Sequence, residues 1–86
     1  MGASNATVGT SSTEILAKNH QRSMMIICND SDETIYLAIG EDAVMNKGLR
    51  LIENDYVAFF NGDPSLSQAV NGICASGSKV VTTLEL

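Results

Sequence analysis

What this 86-residue chain lacks narrows its possibilities first. It has no tryptophan, one proline, one histidine and two cysteines. Cys28 and Cys74 stand far apart, with no CxxC and no Cys/His cluster, which speaks against a disulfide-dense scaffold and against a structural zinc site. A lone His20 offers no base–nucleophile relay, because no spacing places a Ser, Cys or Asp partner beside it. Basic residues are few: five Lys and Arg against ten Asp and Glu, for a net charge of −5. Lys18, Arg22, Lys47, Arg50 and Lys79 are scattered, so the clustered cations that grip phosphates or an anionic bilayer are missing, and neither nucleic acid nor membrane is an expected partner. No apolar run approaches the roughly 18–20 residues of a membrane span. The opening stretch MGASNATVGTSS has neither the basic nor the apolar region of a secretory signal, which points to a soluble protein synthesised in a cytoplasm. Gly-rich phosphate loops, HExxH and GxSxG are absent as well. The expectation is a protein that is not an enzyme and carries no cofactor.

What is present is β signal. A chain this short removes only roughly 60–70% of its unfolded surface from water, so one modest domain is expected, steadied by association with neighbours. Residues 1–12 are almost all small or polar and read as a flexible or extended N-terminal arm anchored by Val8, with a single β domain over 13–86. Ser11-x-x-Glu14 has capping-box spacing. The polar residues Lys18, Asn19, His20, Arg22 and Ser23 nevertheless occupy the positions where a helix would be apolar, so a short strand at about 13–17 is preferred.

From Arg22 onward the pattern is period two. RSMMIICN places Met25 and Ile27 on one face and Met24, Ile26 and Cys28 on the other. TIYLAIG sets Ile35, Leu37 and Ile39 opposite Tyr36 and Ala38, and the turn-forming NDSDE between the two runs reads as a hairpin. GEDAVMNKG fits a loop or a single helical turn. LRLIE and YVAFFN are further strands, Asp63-Pro64 is placed to cap one short turn, and GICAS with KVVTTLEL reads as a closing hairpin through Ser76-Gly77-Ser78. Gly72 is expected to serve close packing or a bulge. About six to eight short strands at even spacing predict an all-β fold, a small antiparallel β-sandwich or barrel of jelly-roll type with at most one or two helical turns. Several strands are apolar on both faces, which implies two layers or a face covered by a partner.

The acidic turn Asp30-Ser31-Asp32-Glu33 is the most conspicuous cluster. It lacks the spacing and distal bidentate Glu of a Ca²⁺ loop, whose cage needs six or more oxygens, so it reads as a solvated turn and no metal is assigned. Cys28 and Cys74 sit mid-strand among apolar residues and read as buried free thiols.

The order and spacing of these segments over residues 18–86 resemble a small β module of tailed-bacteriophage virion proteins. Arg22 precedes an apolar strand ending at Asn29; SDETIYLAIG supplies a polar turn and an Ile-Tyr-Leu strand. GLRLIEND is similar to that family's Gly-x-x-Leu strand and turn, with Glu53-Asn54 where the family usually has Pro-Gly. NGICASGSKVVTTLE is similar to its Gly-x-Ile-x-Ala strand, Ser-Gly turn and last strand. The resemblance implies a virion structural protein, foremost a capsid decoration (cement) protein. It would bind the outer shell and bridge subunits of the major capsid protein, as a homo-oligomer with a trimer favoured. An acidic surface suits the outside of a DNA-filled shell. The interface implied by that role comprises Thr7, Val8 and Thr10 of the arm with Tyr36, Tyr56 and Phe59 of the strands. A tail, fibre-base or head–tail accessory role is the neighbouring alternative. A carbohydrate- or receptor-binding module is another, and it would show two aromatics exposed together beside Asp30 or Asp32.

Overall fold

The structure, a computed structural model, describes residues 2–86. Eight strands follow one another without an intervening helix: β1 (Gly2–Val8), β2 (Thr13–Leu16), β3 (Met24–Asn29), β4 (Ile35–Ile39), β5 (Leu49–Leu51), β6 (Tyr56–Phe60), β7 (Val70–Cys74) and β8 (Lys79–Glu85). They form two four-stranded antiparallel sheets, sheet A in the order β1-β8-β3-β6 and sheet B in the order β2-β7-β4-β5. The protein is a β-sandwich, and its strand order is that of a jelly roll. The order has a simple origin. The chain doubles back at the β4–β5 connection so that β3 pairs β6, β2 pairs β7 and β1 pairs β8. The doubled ribbon is then rolled until β8 meets β3 and β7 meets β4.

Rolling corrects two local readings. NDSDE and Ser76-Gly77-Ser78 do not close hairpins: β3 and β8 lie in sheet A, whereas β4 and β7 lie in sheet B, so both segments carry the chain across the sandwich. Turn chemistry specifies a change of direction but not which strand receives the next one. The segment expected as an arm is also part of a sheet. Residues 2–8 pair with β8 in unbroken register, from Gly2 opposite Glu85 to Val8 opposite Lys79, and Val8 is fully buried. Low apolar content left a flexible or an extended arm open; residues 2–8 are extended and paired, since backbone pairing needs no apolar side chain.

Period-two alternation builds the core. Met25 and Ile27 of β3, Val81 of β8 and Val8 of β1 face Ile35 and Leu37 of β4, Val70 and Cys74 of β7, Leu51 and Leu16. Each large aliphatic side chain sealed there is worth roughly 1.5–3 kcal/mol relative to exposure. The register of β2 shifts between Glu14 and Leu16, and this bulge turns both Ile15 and Leu16 inward. Gly72 makes room for that: a Cβ there would lie 2.6 Å from Ile15 Cδ1 and 3.4 Å from Leu37 Cδ2.

Two polar residues that bracket β3 lock the layers together. The side chain of Arg22 is almost wholly buried and donates to the carbonyls of Ala17, Leu66 and Gln68 and to the Glu85 carboxylate. It thereby joins sheet A to the 61–69 connection, whose short turn is capped by Asp63 through the Ser65 N–H at 2.9 Å. At the other end Asn29, fully buried, donates from Nδ2 to Glu33 O and Leu51 O, both at 2.8 Å. Its Oδ1 accepts from the N–H and hydroxyl of Ser31. The connection leading into β6 turns at Asn54, which adopts φ 63°, and the Asn54 N–H donates to Asn29 O. Asn tolerates that left-handed conformation better than most side chains, so the turn closes without the Pro-Gly of the family pattern.

Candidate assembly interface

Alternation places half of each strand on the outside of the sandwich, and the two outsides differ. On sheet B the 40–48 connection folds over the outer face. Asn71 Nδ2 donates to Glu41 O at 2.6 Å, and the Ala43 N–H donates to Ser12 Oγ at 2.9 Å. Gly48 lets this connection return beside β4: its φ is +87°, and a Cβ would lie 2.3 Å from Leu37 O. The face also carries charge, from Glu14 and Arg50. Ile73 points to this side and is buried nonetheless.

The outer face of sheet A has neither cover nor charge. Met24, Ile26, Phe60, Tyr56, Leu84 and Val80 point outward from β3, β6 and β8, continued on β1 by Ala3, Asn5 and Thr7. Phe60 and Tyr56 are 58% and 64% exposed, too much for side chains that contribute to their own fold. Cross-strand neighbours make rows of these residues: Phe60 beside Met24, and Ala58, Ile26, Leu84 and Ala3 in line. Cys28 lies on the same face between Tyr56 and Thr82, half-buried, whereas Cys74 is in the core with its Sγ 3.5 Å from Val8 O. Both thiols are free. Only Cys74 fits the reading of a sealed thiol; Cys28 is corrected to a half-exposed site, because odd and even positions of β3 face opposite sides.

The residues expected at an interface therefore divide. Thr7 and Tyr56 lie on the bare face of sheet A, at its opposite edge strands. Val8 and Phe59 are corrected: alternation turns both inward, Val8 is 0% exposed and Phe59 packs against the core, so neither is presented to a partner. Tyr36 is half-buried on the outer face of sheet B, opposite Arg50 and Ile73. Thr10 is exposed in the β1–β2 connection and lies close to Gly77. The reading missed Phe60, Met24, Ile26 and Leu84. Their alternation was visible, but the side of the strand left bare was not.

The acidic turn is held by its neighbours. Asp32 accepts from Lys79 Nζ at 2.7 Å, and Glu33 accepts from the Ser76 hydroxyl at 2.6 Å and the Ser76 N–H at 2.8 Å. The Lys79 hydrogen bond and charge hold the Asp32 carboxyl below its ordinary 3.8. The two Ser76 donors hold Glu33 below 4.5, and the bond to Asp32 raises Lys79 above 10.5. Among the described residues no group of three or more His, Cys, Asp or Glu is placed to share a metal ion. Two shallow clefts are among those on the described surface. One of about 360 Å³ opens between β4, β5 and the 41–48 segment, lined by Leu37, Ala38, Val44 and Leu49; the other, of about 300 Å³, lies beside Arg22 and Glu85.

The arrangement defines a class: a jelly-roll β-sandwich with one clothed face and one bare, uncharged apolar face. No protein-family model, curated protein or solved structure matches the chain.

Proposed function

We propose that the protein is a virion structural component, a capsid decoration protein that seats the bare face of sheet A on the protein shell and bridges neighbouring subunits. One observation carries this reading: the continuous apolar face running from Phe60 and Tyr56 through Ile26 to Leu84, without a charged side chain, on a molecule whose net charge is −5. A bare patch of this kind marks a surface meant for another protein. The bacteriophage assignment comes from the order and spacing of segments described above. The jelly roll is compatible with it but serves many functions. A tail or fibre-base position would use the same face in the same way.

A protein partner fits this face better than a sugar. Tyr56 and Phe60 are four residues apart on one strand, roughly 13 Å by strand rise, too far to sandwich a single ring. Asp30 and Asp32 stand at the end nearer Tyr56. Many small contacts of this type gain strength collectively when one molecule touches several subunits.

The test is occupancy on purified particles from the lysate in which the chain is made. The wild-type chain is expected to co-sediment with intact particles and to raise their survival on heating when added back. Ile26→Lys and Phe60→Lys are expected to lower occupancy about tenfold or more, because a lysine forced into a desolvated apolar contact opposes docking. Far-UV circular dichroism should be unchanged. Particles devoid of the wild-type chain, or full occupancy by both lysine variants, would overturn the reading.

A further inference from the structure

The edges of the two sheets differ as much as their faces. A sheet edge is a template for another strand unless it is short, charged or bulged. Sheet B is protected by all three devices: β5 has three residues including Arg50, and β2 has four, with Glu14 and a register shift. On sheet A, the β6 edge is partly occupied, since Asp55 Oδ1 takes the Tyr56 N–H and the Asp63 N–H takes Phe60 O. The β1 edge has no such protection. Its seven residues, GASNATV, contain no charge and no proline, and their register with β8 is unbroken.

The phase of that edge follows from the ladder. Met24 and Leu86 exchange both backbone hydrogen bonds, and the Asp30 N–H donates to Val80 O. In an antiparallel pair such exchanging positions alternate with non-bonded ones. Leu84, Thr82 and Val80 therefore turn their backbone groups to β3, and Glu85, Thr83, Val81 and Lys79 turn theirs to β1. Their partners Gly2, Ser4, Ala6 and Val8 are satisfied. Ala3, Asn5 and Thr7 direct N–H and C=O away from the sheet.

We propose that two copies of this chain pair antiparallel through β1, about a twofold axis at Asn5. Asn5 faces its own counterpart and Ala3 faces Thr7 of the second copy, each pair exchanging both backbone hydrogen bonds. The register is self-complementary because Asn5 is the midpoint of the outward-directed set. The occupant is a second copy for two reasons. The strand brings no carboxylate to the seam, so two molecules of charge −5 meet where neither carries charge, and its small side chains leave both faces clear for close approach. The product is a continuous eight-stranded sheet that joins two bare apolar faces into one, in place of the trimer expected from the family resemblance. This pairing does not depend on what covers that face.

The seam is small for a protein interface, so a dissociation constant on the order of micromolar is expected. Sedimentation equilibrium should show a monomer–dimer system. Asn5→Pro fits the monomer, because the lost N–H faces solvent at an edge, but it deletes the central donors; Asn5→Lys places two like charges opposite each other. Each is expected to raise the dissociation constant about tenfold or more with little change in melting temperature. Independently of folding losses in those variants, Asn5→Cys in a Cys28→Ser background should cross-link to itself under oxidised glutathione. The paired α-carbons would be about 5.5 Å apart, within disulfide reach. Chains carrying Ala3→Cys should cross-link to chains carrying Thr7→Cys rather than to themselves. A wild-type chain that stays monomeric at millimolar concentration, an oligomer indifferent to Asn5→Lys, or Ala3→Cys chains that join each other would overturn the proposal.

Discussion

Sheet A and sheet B have four strands each and share one core, yet they meet solvent differently. Sheet B has short or bulged edges, charged outward side chains and the 40–48 connection tied over it through Asn71 and Ser12. Sheet A has a seven-residue uncharged edge and an apolar outside. A solvated sheet normally alternates apolar-in with polar-out. Sheet B keeps to that rule or covers its exceptions; sheet A breaks it on three strands. The difference teaches that one shared core can leave two sheets with unlike outsides.

The strongest way to break the comparison is to cut the tie between sheet A and the 61–69 connection. Arg22→Met strands the Glu85 carboxylate and the carbonyls of Ala17, Leu66 and Gln68. A loss of about 3–5 kcal/mol is expected from disrupting a buried pair, most of the stability of so small a domain. Urea unfolding monitored by circular dichroism would show it as a large drop in midpoint.

A subtler pair of variants sharpens the contrast between faces. Ile73 and Ile26 both point outward, one on each sheet, but Ile73 is buried and Ile26 is not. Ile73→Ala should cost about 2–4 kcal/mol, as truncation in a packed site does. Ile26→Ala should cost about 1 kcal/mol or less in the free chain. Equal losses in chemical denaturation would show that the two outsides are equivalent after all.

The smallest effect concerns the acidic turn that crosses between the sheets. Asp32 and Glu33 are held below their ordinary values, so folding favours their ionised forms. That contribution is complete above 4.5 and 3.8 and is lost as pH falls through the still lower folded values. Lys79 has the opposite sign: its contribution is present below 10.5 and is lost only as pH rises through its raised value. Melting temperature should therefore be flat through neutrality and gain an acid limb below about pH 4. The double variant Asp32→Asn, Glu33→Gln should shorten that limb, and only slightly, because both groups are exposed to solvent.

Particular residues show how much was legible beforehand. The faces of β3 and β4 followed from Met24–Cys28 and Ile35–Ile39 alone, since side chains on a strand must alternate. Gly72 announced close packing, and Ile15 with Cδ1 against it is what fills the space. Arg22 and Asn29 stood out only as brackets around an apolar run. That one would tie the layers at the end nearer Leu66 and the other at the end nearer Leu51 depends on carbonyls far away in sequence. Val8 and Phe59 were expected at an interface through the family resemblance, but burial belongs to the sheet they join.

The sequence by itself determined that the chain is all β, where the strands after the first run and which residues share a side, because period-two patterning and turn chemistry act between neighbours. The tertiary structure alone decided which strands pair, which side of each is sealed, and that residues 2–8 close one edge. Those outcomes arise from rolling a doubled chain around a common core, and no local rule says which face the rolled ribbon turns inward.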